Sequence, residues 1–565
     1  MASNNREEGT LCIGIDFGTT FTGVAYEFQK GGPEGQASKI EPRCVRFWPA
    51  VETAKIDSKV AYDKDGSVSW GREAANKDNH ISWFKLLLLE DGDLKSHLQS
   101  SKHIKESAER LESLGKDPID LVTDYLRCVW EHALFQITEE QGNKFMERTP
   151  FHVMVTVPAI WPDYALQRMD RALQGSGILR ARPSCKDTTY SFILEPEAAA
   201  FASILGLGKY ETLRAGPTFV IGDLGGGTVD ITSFVVRKEN LELAEGVEGD
   251  GGLCGATFLD QAFLAGITKK ISGAKYKSKK LKAWEKMHPT DRRRVLEFWE
   301  NETKRKYYDG AGRVRFDMGV LGNLRPELWM ETDELNDIFA TVYKDILALF
   351  EVQVKAIFES TGVLPKFIVL VGGLGGCNYI YEKLKAHYDG RIEILRERSD
   401  ASWTAVARGA VIAGSNKQNR EITVHSRVSR YSYSWTKHEE YDPAIHSPLD
   451  LDINDVTGDA IARDQMVWFI KRGEKMAVDS PKLYDYVRHF TLDQSGVISF
   501  SETIYRSERS EPPVRLAENG TKYEGPYGEA LEDGFCEFAT IDMKTPVPVE
   551  KLPLRGNKDH KHRLL

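Results

Sequence analysis

The chain has 565 residues, 41% of them hydrophobic and 28% charged. That is long enough for several buried cores and needs no disulfide framework. Lysine and arginine number 75 against 84 acids, a net charge of -9, which disfavours a general binder of nucleic acid or anionic membrane but leaves room for a local phosphate pocket. The seven cysteines (Cys12, Cys44, Cys128, Cys185, Cys254, Cys377 and Cys536) are scattered and form no CxxC pair, so neither a zinc knuckle nor a disulfide scaffold is indicated. No apolar run approaches the roughly 18 residues of a membrane span, and the polar start shows no secretory signal. A reducing, cytosolic or nuclear compartment is expected. The Asn301 and Asn519 glycosylation patterns then mean only a stretch of helix and a turn.

Along the chain, a polar leader over 1–9 precedes a buried strand, Leu11 to Asp16. A turn at Gly18 to Thr20 leads into a second strand, Thr22 to Phe28, and Gly31 to Gly35 reads as loop. Val153 to Val157 is a β-branched run typical of a strand buried on both faces. Helix follows over Tyr164 to Gln174, strand over Ser191 to Glu195, and an alanine-rich helix over Glu197 to Ile204. Phe219 to Asp223 is strand, Val229 to Val236 returns, and Leu253 to Ile271 and Arg292 to Tyr308 are helical. Asp333 to Thr361 has helical spacing, Phe367 to Val371 is strand, and Asn378 to Tyr388 and Thr404 to Ala413 are helices. This alternation implies an α/β domain. From Ser415 to Arg420 the chain reads as a polar linker. Short alternating runs after it (Val424 to Tyr433, Met466 to Lys471, Gly496 to Tyr505) read as a β-rich domain, with a basic tail expected to fray. His560 and His562 in that tail read as solvated rather than metal-binding.

Two segments resemble each other. Asp16-Phe-Gly-Thr-Thr20 and Asp223-Leu-Gly-Gly-Gly-Thr-Val-Asp230 each place an aspartate, a glycine-bearing turn and a threonine between two strands. Glycine admits positive φ and brings backbone N–H groups close to phosphate oxygens. Threonine hydroxyls add donors, and an aspartate at a strand end offers a hard oxygen to hydrated Mg²⁺. One such turn is also compatible with a plain hairpin; two suggest a duplicated fold clamping a polyphosphate. No Gly-x4-Gly-Lys-Ser/Thr occurs, so the mechanism is not that of a P-loop. A third glycine-dense turn, Gly372 to Gly376, follows the strand Ile368 to Val371; it is either a tight strand–helix turn or a flat bed for a base and ribose.

The ordered series resembles the actin-like ATPase superfamily and, within it, the 70-kDa heat-shock proteins. The resemblance rests on Asp16 to Thr20, Val155-Thr-Val-Pro-Ala159, Leu194-Glu-Pro-Glu-Ala-Ala-Ala200, Asp223 to Asp230, Gly372 to Gly376 and Ala405-Val-Ala-Arg-Gly-Ala410. It implies a duplicated actin-like (ribonuclease H-like) two-lobed ATPase domain, with lobes over 10–215 and 216–414, a linker over 415–422, a smaller β-rich C-terminal domain over 423–550 and a tail over 551–565. It also implies ATP or ADP with Mg²⁺ as ligands. Asp16 and Asp223 would hold the metal. Gly18, Thr19 and Thr20 from one lobe, and Gly225, Gly226, Gly227 and Thr228 from the other, would contact phosphates. Lys85, Glu195, Asp223 and Thr228 would serve catalysis, Glu195 by positioning water or metal. Lys85 otherwise reads as a snorkelling surface lysine. Lys304 and Arg305 fit the adenine-side helix, or else a solvated charged face, and Gly372, Gly373 and Gly376 fit the adenosine motif.

Departures from the family pattern accompany this series. Ala256 and Thr257 stand where acids are usual, Leu374 and Gly376 replace a serine and an arginine, and Trp403 or Thr404 replaces an aspartate near the ribose. The polar linker and short β-rich end resemble the twelfth subfamily and fungal paralogues, which lack a standard lid. The resemblance therefore implies a nucleotide-controlled, Mg-dependent ATPase of chaperone-like or regulatory type, with a hinge near Gly409 to Gly414 and client or partner proteins reached through the C-terminal domain. Alternatives are a nucleotide-gated binding module with little hydrolysis and a small-molecule kinase using Asp230 as base; a cytoskeletal filament fits less well. Neither nucleic acid nor membrane is expected as a partner, and the sequence does not speak to oligomeric state.

Overall fold

The β-branched runs form the frame of the molecule. The computed structural model describes residues 9–30, 41–93, 102–182, 185–207, 216–237, 242–273, 284–319, 327–397, 400–419, 423–478, 480–484, 487–509, 511–514, 516, 535–555 and 562–564. The leader before Gly9, the loop at 31–35, Asn519 and His560 lie outside the described residues. Residues 1–424 and 425–565 make two compact units.

In the first unit, β1 (Thr10–Phe17) pairs antiparallel with β2 (Phe21–Gln29). Two short strands, β3 (Arg43–Cys44) and β4 (Ile56–Asp57), pair with β2. On the other edge of β1, β5 (Phe151–Val157) and then β6 (Thr189–Leu194) add in parallel. A second sheet repeats the pattern. β7 (Thr218–Leu224) pairs antiparallel with β8 (Val229–Val236), which pairs in turn with β9 (Glu242–Glu245) and β10 (Asp250–Gly252). β11 (Phe367–Val371) and β12 (Glu393–Arg396) extend β7 in parallel. The central strands β1, β5, β7, β8 and β11 are almost wholly buried, which explains why they read as continuous apolar runs rather than alternating ones.

Helices cover the sheets. α1 (Lys102–Ser113) and α2 (Pro118–Gln141) fall in a stretch whose helices the sequence reading left unassigned. α2 nevertheless announces itself through a capping box between Asp117 and Asp120 with Pro118 at its start. α2 and α3 (Asp163–Gly175) pack with the first sheet around Tyr125, Leu126 and Met169. α4 (Glu195–Gly206) follows β6 directly. α5 (Ala256–Ser272), α6 (Pro289–Phe298) and α7 (Thr332–Thr361) share a core with the second sheet around Phe263, Trp299, Phe339 and Phe350. α8 (Asn378–His387) and α9 (Asp400–Asn419) complete the unit. α4 and α9 cross closely, where a side chain at Gly409 would meet the Ala198 carbonyl.

Three expectations are corrected. The polar stretch from Ser415 begins not a linker but the end of α9, which runs to Asn419; Ser415 is buried, and Gly414 packs on Cys12 and Met154. No glycine or proline interrupts residues 415–419, so hydrophilic composition alone did not stop the helix. The charged helix at 292–308 is not continuous either: α6 passes into a wide π turn at Trp299–Thr303 and one last helical turn at Lys304–Lys306. Trp299, at the start of this turn, is buried and stacks on Phe263 at 4.1 Å between ring centroids. Finally, the tail is not wholly frayed, since His562–Leu564 pairs with His489–Phe490 and Leu554–Arg555.

The second unit is β-rich. Its main sheet runs in the order Leu451–Ile453, Ala460–Ile470, Ser432–Glu440, Ser499–Ser507, Phe535–Lys544, all antiparallel. Thr423–Val428 pairs with Lys475–Ala477. No helix among the described residues is long and apolar enough to cross a membrane.

Candidate functional site

The carboxyl ends of β1, β7 and β11 open on one cavity of about 690 Å³ within the first unit, within the usual size range of a small-molecule site. The turn after β1 requires glycine at position 18, because a side chain there would strike the Phe21 carbonyl. Ser58, next to β4, buttresses this turn: its Oγ donates to the Gly18 carbonyl at 2.7 Å and its N–H to the Thr20 carbonyl at 2.8 Å.

The turn after β7 is held from behind. The Gly255, Ala256 and Thr257 amides donate to the Gly227, Gly225 and Gly226 carbonyls at 3.2, 3.1 and 2.9 Å. Among the described residues the Gly226 and Gly227 N–H groups have no acceptor, so the turn keeps donors for a ligand. The two turns meet. A side chain at Gly226 would collide with the Thr20 hydroxyl, and one at Gly227 would press on Thr19 at 3.0 Å. Gly372, at φ +82°, opens the third turn and could carry no side chain without striking Asp223 and the Leu224 carbonyl.

The cavity floor is charged. Asp16 and Asp223 are the penultimate residues of β1 and β7, and Glu195 sits in the first turn of α4. All three are buried and face the cavity. Lys85 is buried too, and its Nζ donates to Glu195 Oε1 at 2.6 Å; the surface reading of Lys85 is thereby excluded. Lys55 pairs with Asp16. Asp223 has no ion-pair partner among the described residues. Burial, reinforced by the charges of Glu195, Asp16 and Asp230, pushes its carboxyl well above the usual range. Burial also raises Glu195, against the pull of the Lys85 ammonium.

On the side of the third turn, the Arg305 guanidinium lies 5.0 Å from the centre of the Trp403 ring, and Phe21 meets that ring edge-on at 5.4 Å. The missing side chain of Gly373 leaves room beside Trp403. Lys304 is engaged elsewhere: it pairs with Glu300 and donates to both Asp260 oxygens at 3.0 and 3.2 Å, while Trp299 Nε1 donates to the same carboxylate at 2.6 Å. Burial alone would lower the lysine, but Asp260 and Glu300 together hold it above its ordinary value. Asp260→Ala should therefore cost about 1–2 kcal/mol, a modest figure because the carboxylate is one-third open to water. Denaturant melts check this; an unchanged midpoint would mean that the cluster contributes nothing.

Asp16, Gly18, Thr19, Thr20, Lys85, Glu195, Asp223, Gly225, Gly226, Thr228, Lys304, Arg305, Gly372 and Gly373 all line the cavity. Gly227 and Gly376 do not: Gly227 backs onto Thr19, and Gly376 is turned toward Arg396, which donates to its carbonyl at 3.0 Å. Asp230 is buried opposite Asp223 on β8 and is not part of the wall. Sequence reasoning missed Lys55 and Asp260. Neither stands in a glycine turn, and both arrive through pairings distant in sequence.

No protein-family model matches the chain. Relatives are found among individual proteins. Human heat shock 70 kDa protein 12A is 23% identical over 540 residues, 80% of this chain and 76% of that protein. Human heat shock 70 kDa protein 12B is 22% identical over 535 residues, 79% and 74% of the two chains. The chaperone protein HscA of Proteus mirabilis is 30% identical over 260 residues, 44% of this chain and 36% of that protein. Shared length with the first two, and the ordered glycine turns around one cavity, make the chain similar to the heat-shock-protein-70-like, actin-like proteins, at a distance of 22–23% identity.

Proposed function

We propose that the first unit is a duplicated, two-lobed nucleotide-binding domain, with lobes over 10–215 and 216–414, that takes ATP or ADP in the cavity between its sheets and hydrolyses ATP slowly. The observation that carries this reading is the contact of the two glycine turns, Thr20 against Gly226 and Thr19 against Gly227. A polyphosphate there meets donors from both sheets. Of the two carboxylates the resemblance assigns to hydrated Mg²⁺, Asp16 is paired with Lys55, and Asp223 is the group that would hold the ion. The unpaired Asp223 carboxylate and the side-chain-free cradle fit such an ion. Among the described residues no three His, Cys, Asp or Glu side chains converge as direct ligands, so the hold would run through water and phosphate. When bound, the ion supplies charge neutralisation of the phosphates.

The protein's own part is positioning and electrostatics. The Gly226 amide and the threonine hydroxyls bind phosphate oxygens. Glu195 orients the water that bonds to the γ-phosphorus as the bond to the bridging oxygen breaks, ADP leaving and the water's proton passing to the phosphate released, and Lys85 places its charge beside the oxygens of the phosphoryl group in transfer. The second unit acts as the chaperone-like or regulatory module that responds to nucleotide. The decisive experiment is steady-state ATP turnover of the wild type and Asp16→Asn; equal rates would sink the site.

A second reading, a nucleotide-gated module with little turnover, is favoured by the engagement of Asp16 with Lys55. The kinase reading loses ground because Asp230 lies off the cavity wall. The base would rest on Trp403 and Arg305, since Gly376 brings no side chain. Trp403→Ala should weaken ADP binding about tenfold, the worth of one aromatic stack. Titration with a fluorescent ADP analogue measures it, and an unchanged Kd would place the base elsewhere.

A further inference from the structure

Lys55 has no part in the roles assigned so far, yet its place is closely built. It precedes β4, whose Ile56 and Asp57 pair with Thr22 and Phe21. Ser58 ties the same segment to the first phosphate turn through Gly18 and Thr20, and its hydroxyl meets that of Thr22 at 2.9 Å. Gly23 stands opposite Asp16 in the β1–β2 register. The Lys55 stem runs over this glycine, within 3.0–3.4 Å of where a side chain would begin, so any side chain there would press the lysine from its path. At the end of that path the ammonium meets Asp16, both groups being nearly excluded from solvent on their cavity-facing side chains.

The floor thus carries three carboxylates and two ammoniums. Lys85 answers Glu195, Lys55 answers Asp16, and Asp223 is left over. A flexible surface lysine making a passing ion pair would need neither the glycine channel nor the buttressed strand. An ammonium fixed at the head of the phosphate turn is a point charge suited to phosphate oxygens.

Building on the nucleotide reading above, we propose that Lys55 is a resident cation of the phosphate site, standing where a divalent ion would otherwise meet Asp16, so that the chain binds a nucleoside di- or triphosphate without a divalent metal. Its ammonium neutralises Asp16 in the empty site and turns to phosphate oxygens when the site fills.

The test is calorimetric titration of the full chain with ADP in EDTA and in Mg²⁺. Wild-type affinities in the two buffers should agree within about tenfold. Lys55→Met keeps the apolar stem and should lose about a hundredfold in EDTA, the size of one charge-assisted contact, while recovering most of it in Mg²⁺ as the freed Asp16 accepts the hydrated ion. Lys55→Arg should restore binding in EDTA. Wild-type binding that vanishes in EDTA, or Lys55→Met that binds there like wild type, would overturn the proposal. If Lys55→Met does not fold, the wild-type comparison alone decides. Absence of binding in both buffers would instead overturn the nucleotide reading and this one with it.

Discussion

Asp223→Asn should melt higher than the wild type and lose whatever nucleotide affinity depends on Mg²⁺. Asparagine has nearly the shape of aspartate, so the packing against Gly372 is kept. The charge is what changes. In the ligand-free protein Asp223 is buried beside Glu195 and Asp16 with no cation of its own, and a buried charge without a partner opposes folding. Its folded pKa lies above the unfolded one, so its contribution favours folding below about pH 4 and is lost as pH rises through the raised folded value. At neutral pH the carboxylate therefore destabilises the empty protein. Removing it should add about 2 kcal/mol, or roughly 2–5 °C in Tm for a unit of this size, and flatten the decline of Tm with rising pH. Differential scanning fluorimetry between pH 5 and 8 reads both effects. A lower or unchanged Tm would show that the carboxylate is better compensated than its surroundings indicate. ADP titrations of the same variant in Mg²⁺ and in EDTA should differ less than those of the wild type, because the group that strains the empty site is the one left to receive the ion.

The second large effect is expected at Lys85. Its ammonium lies 2.6 Å from Glu195 Oε1 and near the faces of Phe17 and Trp161, 5.7 and 5.3 Å from the ring centres. An ammonium held in so dry a pocket stabilises developing phosphoryl charge far better than one in water. Lys85→Ala should slow single-turnover hydrolysis by about 10²–10³-fold while ADP affinity changes less than tenfold. Single-turnover decay of labelled ATP separates the two quantities. Equal losses in binding and rate would make Lys85 a ground-state ligand only, and an unchanged rate would remove it from the mechanism.

The parts of the site legible in the sequence were those whose signal is local. A strand buried on both faces writes itself as Val153 to Val157 or Phe219 to Ile221, and a turn that admits no side chain writes itself as Gly225 to Gly227. What escaped depends on chain segments that meet late. Lys55 reaches Asp16 only because a two-residue strand, too short to show any period, pairs with Phe21 and Thr22. The π turn at Trp299–Thr303 has the composition of an ordinary charged helix; the pull of Asp260 on Trp299 and Lys304, about 40 residues away, accompanies its extra residue. The same reason places Lys304 in a structural cluster although the motif pointed to a base contact. Helix α2 was legible and overlooked: Asp117, Pro118 and Asp120 spell a helix start by themselves.

The crossing of α4 and α9 bears on how such a molecule would move. At Gly409 and Ala198 main chain lies on main chain, and at Gly14 the sheet meets Ala407, Ala410 and Val411. Helices joined by interlocking ridges must climb over side chains to rotate and so tend to rest in discrete positions. This joint is smooth at those points, with Phe201, Ile204, Val406 and Ile412 buried around them. A rotation of the two helices would pivot on these backbone contacts and would have to repack the side chains around them.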